Sequence, residues 1–286
     1  MWRLKHEFLR LGKARQDARI QARKLSEAQS EHRKLENELA TRSAALTEAN
    51  QQLEAFVYSA SHDLRAPLRA VKGFTNALRE DYAHLFNEQG KDYAQRIVDG
   101  TERMEQMVAG LLTYSRVGRG DMPLVSINLE EYLPKLSQQW EAQLKPSGGR
   151  LEIARPLPAV LANPVLLEQA LTQLVSNAGK FIVPGTSAQV QLQAEESNGL
   201  VRIKVADNGI GIDPKHHPKL FQVFQRFQPA DKYPGLGIGL AIVRKATQRM
   251  GGRAGLQEGA AQGSCFWIEL PKAAPQNKTP EEAAKK

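Results

Sequence analysis

Apolar residues, interrupted by His32, recur every seven positions from the start of the chain to about residue 60. Mainly Glu, Lys, Arg and Gln fill the positions between, and no proline occurs before Pro67. This spacing predicts a coiled coil, parallel or antiparallel, with a weak centre. The alternative is a single amphipathic helix packed on its own domain. The repeat consists of Leu4, Leu11, Ala18, Leu25, His32, Leu39, Leu46, Leu53 and Ala60.

The same periodicity continues into Leu64, Val71, Phe74 and Leu78, which predicts one helix to about Arg79, roughly 110 Å long. A second helix is predicted over 88–117 from a three-four alternation. Two such helices form a hairpin with too little core of its own, so we expect a homodimer with a four-helix bundle. The second alternation consists of Tyr93, Ile97, Gly100, Met104, Met107, Leu111 and Tyr114.

The pattern changes after about residue 125. Period-two segments predict strands at 150–154, 188–194, 200–206, 253–257 and 264–270, with helices at 129–144, 164–181 and 236–250. The expected fold class is α+β: a long N-terminal coiled-coil helix, a dimeric four-helix-bundle hairpin, then an α/β sandwich with a mixed sheet and helices on one face. The predicted domains are 1–52, 53–120 and 121–272, followed by a disordered tail at 273–286, which is rich in Pro, Ala, Lys and Glu.

Composition narrows the class of protein. The single cysteine, Cys265, excludes an intrachain disulfide framework, and no apolar run reaches the roughly 18 residues of a membrane helix. No signal peptide is apparent, so we expect a soluble, cytoplasmic protein. The net charge of +8 has no zinc-finger, aromatic-basic or helix-turn-helix pattern beside it, so solvated helix faces and attraction to polyanions are favoured over nucleic-acid binding.

His62 is the first candidate for chemistry. Asp63 follows it directly, and Pro67 removes a backbone donor one turn later, which favours a bend. A neutral imidazole is nucleophilic. Because His62 lies two positions after Ala60 of the heptad seam, we expect it to point away from a partner helix. With a nucleotide site elsewhere, His62 would accept a phosphoryl group; an ordinary exposed histidine is the alternative.

Four segments predict that nucleotide site, although the chain has no P-loop. In the first, Gln173, Asn177 and Lys180 share one helix face, where an amide oxygen suits Mg²⁺ and a lysine suits phosphate. The alternative is a solvated polar face. In the second, Asp207 ends a strand before Gly209 and Gly211, and could accept a hydrogen bond from an amine such as that of adenine. A plain Asn-Gly turn is the alternative there.

The third segment opens a helix, where backbone donors and the helix dipole favour phosphate. It reads Gly235-Leu236-Gly237-Ile238-Gly239-Leu240 and lacks the Rossmann spacing. The fourth is Gly263-Ser264, just before the last strand. Taken alone, each of these glycine segments is weak evidence.

In this order, the segments from about residue 53 to 271 resemble the sensor histidine kinases, most closely the phytochrome-type branch. Residues 61–68 resemble the family's H box, 177–181 its N box, 207–212 its G1 box, 220–227 its F box and 235–240 its G2 box. The resemblance implies a phosphoacceptor hairpin followed by a Bergerat-type ATP-binding domain. It also implies a mobile lid at about 225–234, anchored by Phe224 and Phe227.

The resemblance also implies a role for each matching residue. His62 would be the phosphoacceptor and Asp63 the neighbour that takes its ring proton. Asn177 would bind Mg²⁺, Lys180 a phosphate and Asp207 the adenine. The remaining residues of the implied ATP site are Gln173, Gly209, Gly211, Gly235, Leu236, Gly237, Gly239 and Leu240.

Three positions depart from the family pattern. Gln173 stands where the first N-box asparagine is usual, and Leu236 stands in place of a Thr or Ser hydroxyl. Both bear on catalytic rate more than on fold. Ala66, four residues after His62, replaces a Thr or Asn that orients water in many members. We therefore expect weak phosphatase activity.

The expected function is an ATP- and Mg²⁺-dependent histidine protein kinase that autophosphorylates His62 and passes the phosphoryl group to an aspartate of a response-regulator receiver docked around 66–71. An ATP-binding dimeric signalling scaffold with little kinase activity is the alternative. A hydrolytic ATPase is disfavoured because Gln173 stands where those enzymes use a glutamate base. The stimulus, the cognate receiver and the choice between cis and trans transfer stay open, as does whether the chain is a fragment of a larger sensor, is driven by another protein or receives its input through the helix directly.

Overall fold

The computed structural model describes residues 2–117, 122–229, 232–233, 235–257 and 263–273. The chain divides into two compact units, Met1–Phe56 and Val57–Lys286. The first unit consists of the N-terminal part of helix α1 (Trp2–Asp81), whose 80 residues are helical throughout, including Pro67. In the single chain its heptad residues Leu39 and Leu46 are exposed, and the coiled coil stays a prediction.

The second unit begins with the hairpin. The C-terminal part of α1 is joined through a 3₁₀ turn, Ala83–Leu85, to α2 (Glu88–Arg116). Asn87 starts α2 by accepting a hydrogen bond from the N–H of Gly90 at 2.8 Å. The two helices are held in antiparallel register by Lys72, whose Nζ lies 3.0 Å from Glu102 and 3.3 Å from Glu105.

The rest of the second unit is a sheet covered by helices. Its elements are β1 (Val125–Ile127), α3 (Leu129–Leu144), β2 (Arg150–Ile153), β3 (Val160–Ala162), α4 (Pro164–Lys180), β4 (Gln189–Ser197), β5 (Leu200–Asp207), a 3₁₀ segment (Pro214–Lys219), α5 (Gly239–Arg249), β6 (Arg253–Leu256) and β7 (Cys265–Pro271). The main sheet has the order β2-β4-β5-β7-β6. Among the described strands of this sheet β2 and β4 alone pair in parallel, so the sheet is mixed, as predicted.

The core lies between the sheet and helices α3, α4 and α5. Alternation along β5 buries Val201, Ile203 and Val205 and leaves Arg202 and Lys204 on the other face. On the helical side Trp140 is fully buried, and its indole N–H donates to Thr172 at 2.9 Å. The predicted sandwich with helices on one face of a mixed sheet is therefore confirmed.

Two differences from the sequence expectations concern the edges of this domain. The short strands β1 and β3 pair antiparallel in a separate two-stranded sheet that the hydrophobic pattern did not predict, because three residues are too few for a period to register. Ala273, expected to begin the disordered tail, is buried and its N–H donates to the carbonyl of Ala159 at 3.1 Å. The remaining predicted tail, 274–286, lies outside the described residues.

No helix in the described part of the chain is long and apolar enough to cross a membrane. This agrees with the absence of any long apolar run in the sequence.

Candidate functional site

A cavity of about 330 Å³ opens between α4, the end of β5 and the start of α5. This volume is within the range of small-molecule sites. Among the described residues around it, Asp207 is the single carboxylate, and the cations are Lys180 and Arg226. All of the predicted ATP-binding residues line it except Gly209; they are Gln173, Asn177, Lys180, Asp207, Gly211, Gly235, Leu236, Gly237, Gly239 and Leu240.

Helix α4 presents the polar side of the cavity. Asn163 begins the helix by accepting hydrogen bonds from the N–H groups of Val165 and Leu166 at 3.1 and 3.2 Å. One face of α4 is buried in the core. The other carries Gln173, Asn177 and Lys180 into the cavity, as the spacing predicted.

Asp207 lies at the end of β5, in the floor of the cavity. Its Oδ1 accepts the N–H groups of Gly209 at 2.9 Å and Ser264 at 3.0 Å. Burial raises the pKa of this carboxyl, and the two backbone hydrogen bonds partly oppose the rise. Since both bonds from described residues reach Oδ1, Oδ2 is available to accept a donor from a ligand.

Gly209 has a structural role beside Asp207, which explains why it does not line the cavity. A Cβ at this position would collide with the carbonyl oxygen of Phe181. The N–H of Ile210 donates to the same carbonyl at 2.9 Å, so this turn is fastened to the end of α4. Gly209 therefore fixes Asp207 by its N–H and by its close approach to Phe181.

The segment before α5 forms the opposite wall. Gly237 has φ of +70° and passes so close to Gln225 that any side chain would collide with its backbone. The first turn of α5 follows at Gly239 with no side-chain cap from the described residues, so its N–H groups remain available to an anion. The oxygen of Gln173 lies 2.7 Å from where a Cβ on Gly239 would be, and the Asn177 amide is also close, at 3.8 Å.

Part of the predicted lid is described. Phe227, one of its two predicted anchors, lines the cavity and stacks on His216 with ring centroids 4.5 Å apart. Phe224, the other, is half-exposed with φ of +62°. Ala230, Asp231 and Pro234 of the predicted lid lie outside the described residues.

One wall of the cavity comes from the hairpin, which sequence analysis did not anticipate. Gly110 and Thr113 of α2 line it, and Gly110 lies against Ile238, whose Cδ1 is 2.7 Å from where a Cβ would be. Nearby, Lys245 Nζ of α5 lies 4.4 Å from the ring centre of Tyr114. The sequence carries no sign of this contact, because a glycine within a helix shows its importance only when the segment packed against it is known.

His62 and Asp63 lie on α1, outside the cavity lining. His62 Nδ1 is 3.3 Å from Asp63 Oδ1, and 73% of the His62 side chain is exposed. Continuing the Lys72 register by about ten residues along each helix brings His62 level with 112–115 on α2. Ser61, beside it, is buried. The orientation of His62 away from a partner helix stays a prediction.

Comparison with protein families matches both halves of the second unit. Residues 52–120 match the His Kinase A (phospho-acceptor) domain, and residues 162–274 match the histidine kinase-, DNA gyrase B- and HSP90-like ATPase domain. The first match covers the hairpin, and the second covers every described lining residue of the cavity except Gly110 and Thr113 of α2. The predicted resemblance to sensor histidine kinases is therefore confirmed.

Curated relatives agree with the family matches. The chain is 31% identical over 236 residues to cyanobacterial phytochrome B of Nostoc sp., covering 82% of this chain and 31% of the relative. It is 32% identical over 238 residues to the methanogenesis regulatory histidine kinase FilI of Methanothrix harundinacea, covering 82% of this chain and 26% of the relative. The chain thus spans about a third or less of the length of these relatives.

A solved structure, full-length ShkA in complex with AMPPNP, is similar with a TM-score of 0.56 and 28% identity, covering 76% of this chain and 46% of that one. The fold described above is thus that of known histidine kinase structures, in which a helical hairpin precedes an α/β ATPase domain.

Proposed function

We propose that this chain is the phosphotransfer and catalytic portion of an ATP-dependent protein-histidine kinase. The observation that carries the proposal is the convergence of Asn177, Lys180 and Asp207 with the N-terminus of α5 in one cavity. Asp207 suits the base of a nucleotide, whereas the other groups suit its phosphates and their Mg²⁺. The AMPPNP complex of the structural neighbour ShkA supports ATP as the ligand.

Each part of the cavity has a separate task. Asp207 Oδ2 accepts a hydrogen bond from the amino group of adenine. Lys180 and the first turn of α5 bind phosphate oxygens. The amide oxygen of Asn177 suits Mg²⁺, which takes few protein ligands and completes its shell with phosphates and water. Once bound, that ion would neutralise charge that develops on the phosphates.

In the transfer step, His62 Nε2 attacks the γ-phosphorus. The bond from that phosphorus to the bridging oxygen breaks, and ADP leaves with the electron pair. The imidazole becomes positively charged as the N–P bond forms, and Asp63, 3.3 Å from Nδ1, stabilises or accepts the Nδ1 proton. Catalysis in this scheme is mainly positioning of the phosphate and the ring.

His62 does not line the cavity, so transfer needs either movement of the catalytic domain from α2 or the His62 of a second copy. A mixture of His62→Gln and Asp207→Asn chains distinguishes these routes. Label on the Asp207→Asn chain, which has its histidine but a weakened nucleotide site, indicates trans transfer. Label absent from both chains indicates cis transfer.

The proposed acceptor after His62 is an aspartate of a response-regulator receiver. The docking surface would be the exposed segment 66–71 of α1, one to two turns from His62, in a homodimer of the hairpin. The family match of the hairpin to a phosphoacceptor domain supports this assignment.

The test is incubation of the chain with Mg²⁺ and γ-labelled ATP. We expect acid-labile, base-stable label that is lost in His62→Gln. The matched control is His84→Gln, which removes another exposed histidine of the hairpin and should keep the label. Label that persists in His62→Gln would contradict the assignment of the acceptor.

Weak phosphatase activity is proposed from Ala66, which is exposed one turn after His62 and has no polar group to orient a water molecule. Ala66→Asn should accelerate dephosphorylation of a phosphorylated receiver relative to the unchanged chain. Ala77→Asn, at an exposed alanine four turns after His62 and outside segment 66–71, is the control. Rapid dephosphorylation by the unchanged chain would contradict the proposal.

An ATP-binding signalling scaffold is the second candidate. Two observations favour keeping it: Gln173 is placed close to Gly239, and Leu236 brings a methyl group where a hydroxyl is usual, with its Cδ1 near Gly110. Calorimetric binding of ATP with no phosphohistidine formed over hours would select this candidate.

A further inference from the structure

The first unit presents an apolar stripe along one side of α1, which we call the N-terminal stripe. Every described residue between 23 and 53 is exposed in the single chain. Leu39 is 74% exposed, so most of this leucine is in water. Single exposed leucines are common on protein surfaces, whereas a row of them marks an interaction site. The stripe consists of Leu25, Leu35, Leu39, Leu46, Leu53 and Phe56.

Two polar residues interrupt the N-terminal stripe. His32 takes the first apolar position of its heptad, and Arg42 takes the second. Each lies beside a glutamate of its own helix. His32 Nδ1 is 3.3 Å from Glu36 Oε1, and Arg42 Nη2 is 2.6 Å from Glu38 Oε1. Polar residues at these positions cost stability but fix which residues of a second helix they meet.

A second copy of the same segment fits the N-terminal stripe best when it runs parallel and in register. The leucine at the first apolar position of each heptad then meets its own counterpart, and each polar residue lies opposite itself. An antiparallel copy that aligns the polar residues would instead place His32 opposite Arg42. It would also leave Leu53 opposite Gln21, so fewer leucine pairs would be buried.

Carboxylates surround the imidazole of His32 in the parallel pair. Glu36 follows it by one turn, and heptad geometry brings the Glu31 of the second copy beside Glu36. Two imidazoles therefore share one layer with the Glu31 and Glu36 carboxylates of both copies. The nearest cation in sequence, Arg33, falls at an outer position of the heptad. The other residues one turn from His32 are uncharged: Ala28, Gln29 and Leu35.

We propose that the N-terminal stripe is the contact surface for a second copy of this chain, parallel and in register, and that proton binding at His32 strengthens the contact. An imidazole gains its charge as the pH falls from about 8 to 5. While the rings are neutral, Glu31 and Glu36 of opposite copies repel each other. Charged rings offset this repulsion, and they repel each other less because the carboxylates outnumber them. Acid therefore tightens the first unit, independently of the nucleotide site.

Disulfide cross-linking of the full chain tests the parallel register. In a Cys265→Ala background, which removes the native thiol, Leu39→Cys should form a disulfide between two copies because the two residues lie opposite each other. Asn37→Cys, two residues away at an outer heptad position, is the matched control and should cross-link about tenfold more slowly or less. Equal rates for the two variants would overturn the in-register pairing.

Sedimentation equilibrium of the full chain tests the role of His32. The unchanged chain should associate about fivefold more tightly at pH 5.5 than at pH 8. His32→Gln, which is neutral throughout, should remove this difference, and Glu36→Gln should reduce it to about twofold. Two controls should retain it: His84→Gln, at an exposed histidine of the hairpin, and Glu27→Gln, at an outer heptad position of the first unit.

His32→Leu gives an independent check of the same surface. It completes the row of leucines and should tighten association more than about tenfold at both pH values. No gain in this variant would place His32 outside the contact.

Three further results would overturn the proposal. The first is a chain that stays monomeric at both pH values. The second is a pH response that persists in full in His32→Gln. The third is association that weakens, relative to His32→Gln, as the pH falls, which is the sign expected when His32 faces Arg42 in an antiparallel pair.

Discussion

The catalytic domain and the hairpin of the second unit differ in whether their apolar side chains are buried within one chain. In the catalytic domain Trp140, Leu129 and Leu133 are 0% exposed within one chain. In the hairpin Phe74 is 74% exposed and Met104 46%. The catalytic domain therefore has a complete core of its own, whereas the hairpin leaves a stripe suited to a second copy of itself.

The two regions also differ in where their chemistry lies. The cavity of the catalytic domain collects groups from α4, β5 and α5, elements distant in sequence, around a fixed floor at Asp207. The hairpin instead presents the exposed side chain of His62, whose neighbour in sequence, Asp63, is its hydrogen-bond partner. The site that we propose for the nucleotide is therefore enclosed, whereas the histidine that we propose as acceptor is exposed.

Trp140→Ala should cause the largest change, because it removes the largest fully buried side chain of the catalytic domain. We expect a loss of about 4 kcal/mol in the free energy of unfolding. Chemical denaturation followed by circular dichroism measures it, and the loss should not depend on protein concentration. Trp140→Phe, which keeps an aromatic ring but loses the bond to Thr172, should cost less.

Met104→Glu tests the other side of the comparison. A charge in the proposed dimer stripe should weaken association by about 3 kcal/mol, a more than hundredfold increase in the dimer dissociation constant. Sedimentation equilibrium measures it. Gln106→Glu adds the same charge at an exposed position two residues away and should leave association nearly unchanged. A dimer that withstands Met104→Glu would place the interface elsewhere.

Gly110→Leu tests the contact between the two regions. The new side chain must displace Ile238, and a modest overpacking penalty of about 1 kcal/mol would lower ATP affinity about fivefold. Gly73→Leu is the matched control, because no atom lies within 4 Å of a Cβ there. Equal ATP affinities for the two variants would show that α2 does not contribute to the nucleotide site.

The pH dependence of ATP binding should give the smallest effect. Because burial and Arg226 lower the pKa of Lys180, its charge is lost at lower pH than for an ordinary lysine. ATP affinity of the unchanged chain should therefore fall as the pH rises, by about threefold or less between pH 7 and 9. Lys180→Arg keeps its charge and should remove this part of the decline.

Much of the fold followed from periodicity. The heptad and three-four patterns gave the helices at Trp2–Asp81 and Glu88–Arg116, and alternation gave the strands of the main sheet. What periodicity missed was short or non-repetitive: β1, β3, and the burial of Ala273 against Ala159. A three-residue strand is too short to show an alternating pattern. The burial of Ala273 depends on its contact with Ala159, which is distant in sequence.

The residues of the candidate site likewise fall into those that the sequence nominated and those that only the structure shows. Motif spacing was enough to nominate Gln173, Asn177 and Lys180, because a helix places such residues on one face whatever surrounds it. The family resemblance assigned Gly209 to the ATP site, whereas the structure gives this glycine a bond to Asp207 and a contact with Phe181. Neither gave a reason to single out Gly110, which acts through a contact distant in sequence.

The sequence by itself determined the main helices, the strands of the main sheet and the polar face of α4, because each depends on neighbours within one or two turns. It also nominated His62 as the acceptor, from Asp63 beside it and the nucleotide motifs later in the chain. Only the tertiary structure decided which wall α2 gives to the cavity, how closely Gly237 passes Gln225, and which oxygen of Asp207 is left for a ligand. The physical reason is that local periodicity fixes the direction of a side chain, whereas long-range packing fixes the atoms that it meets.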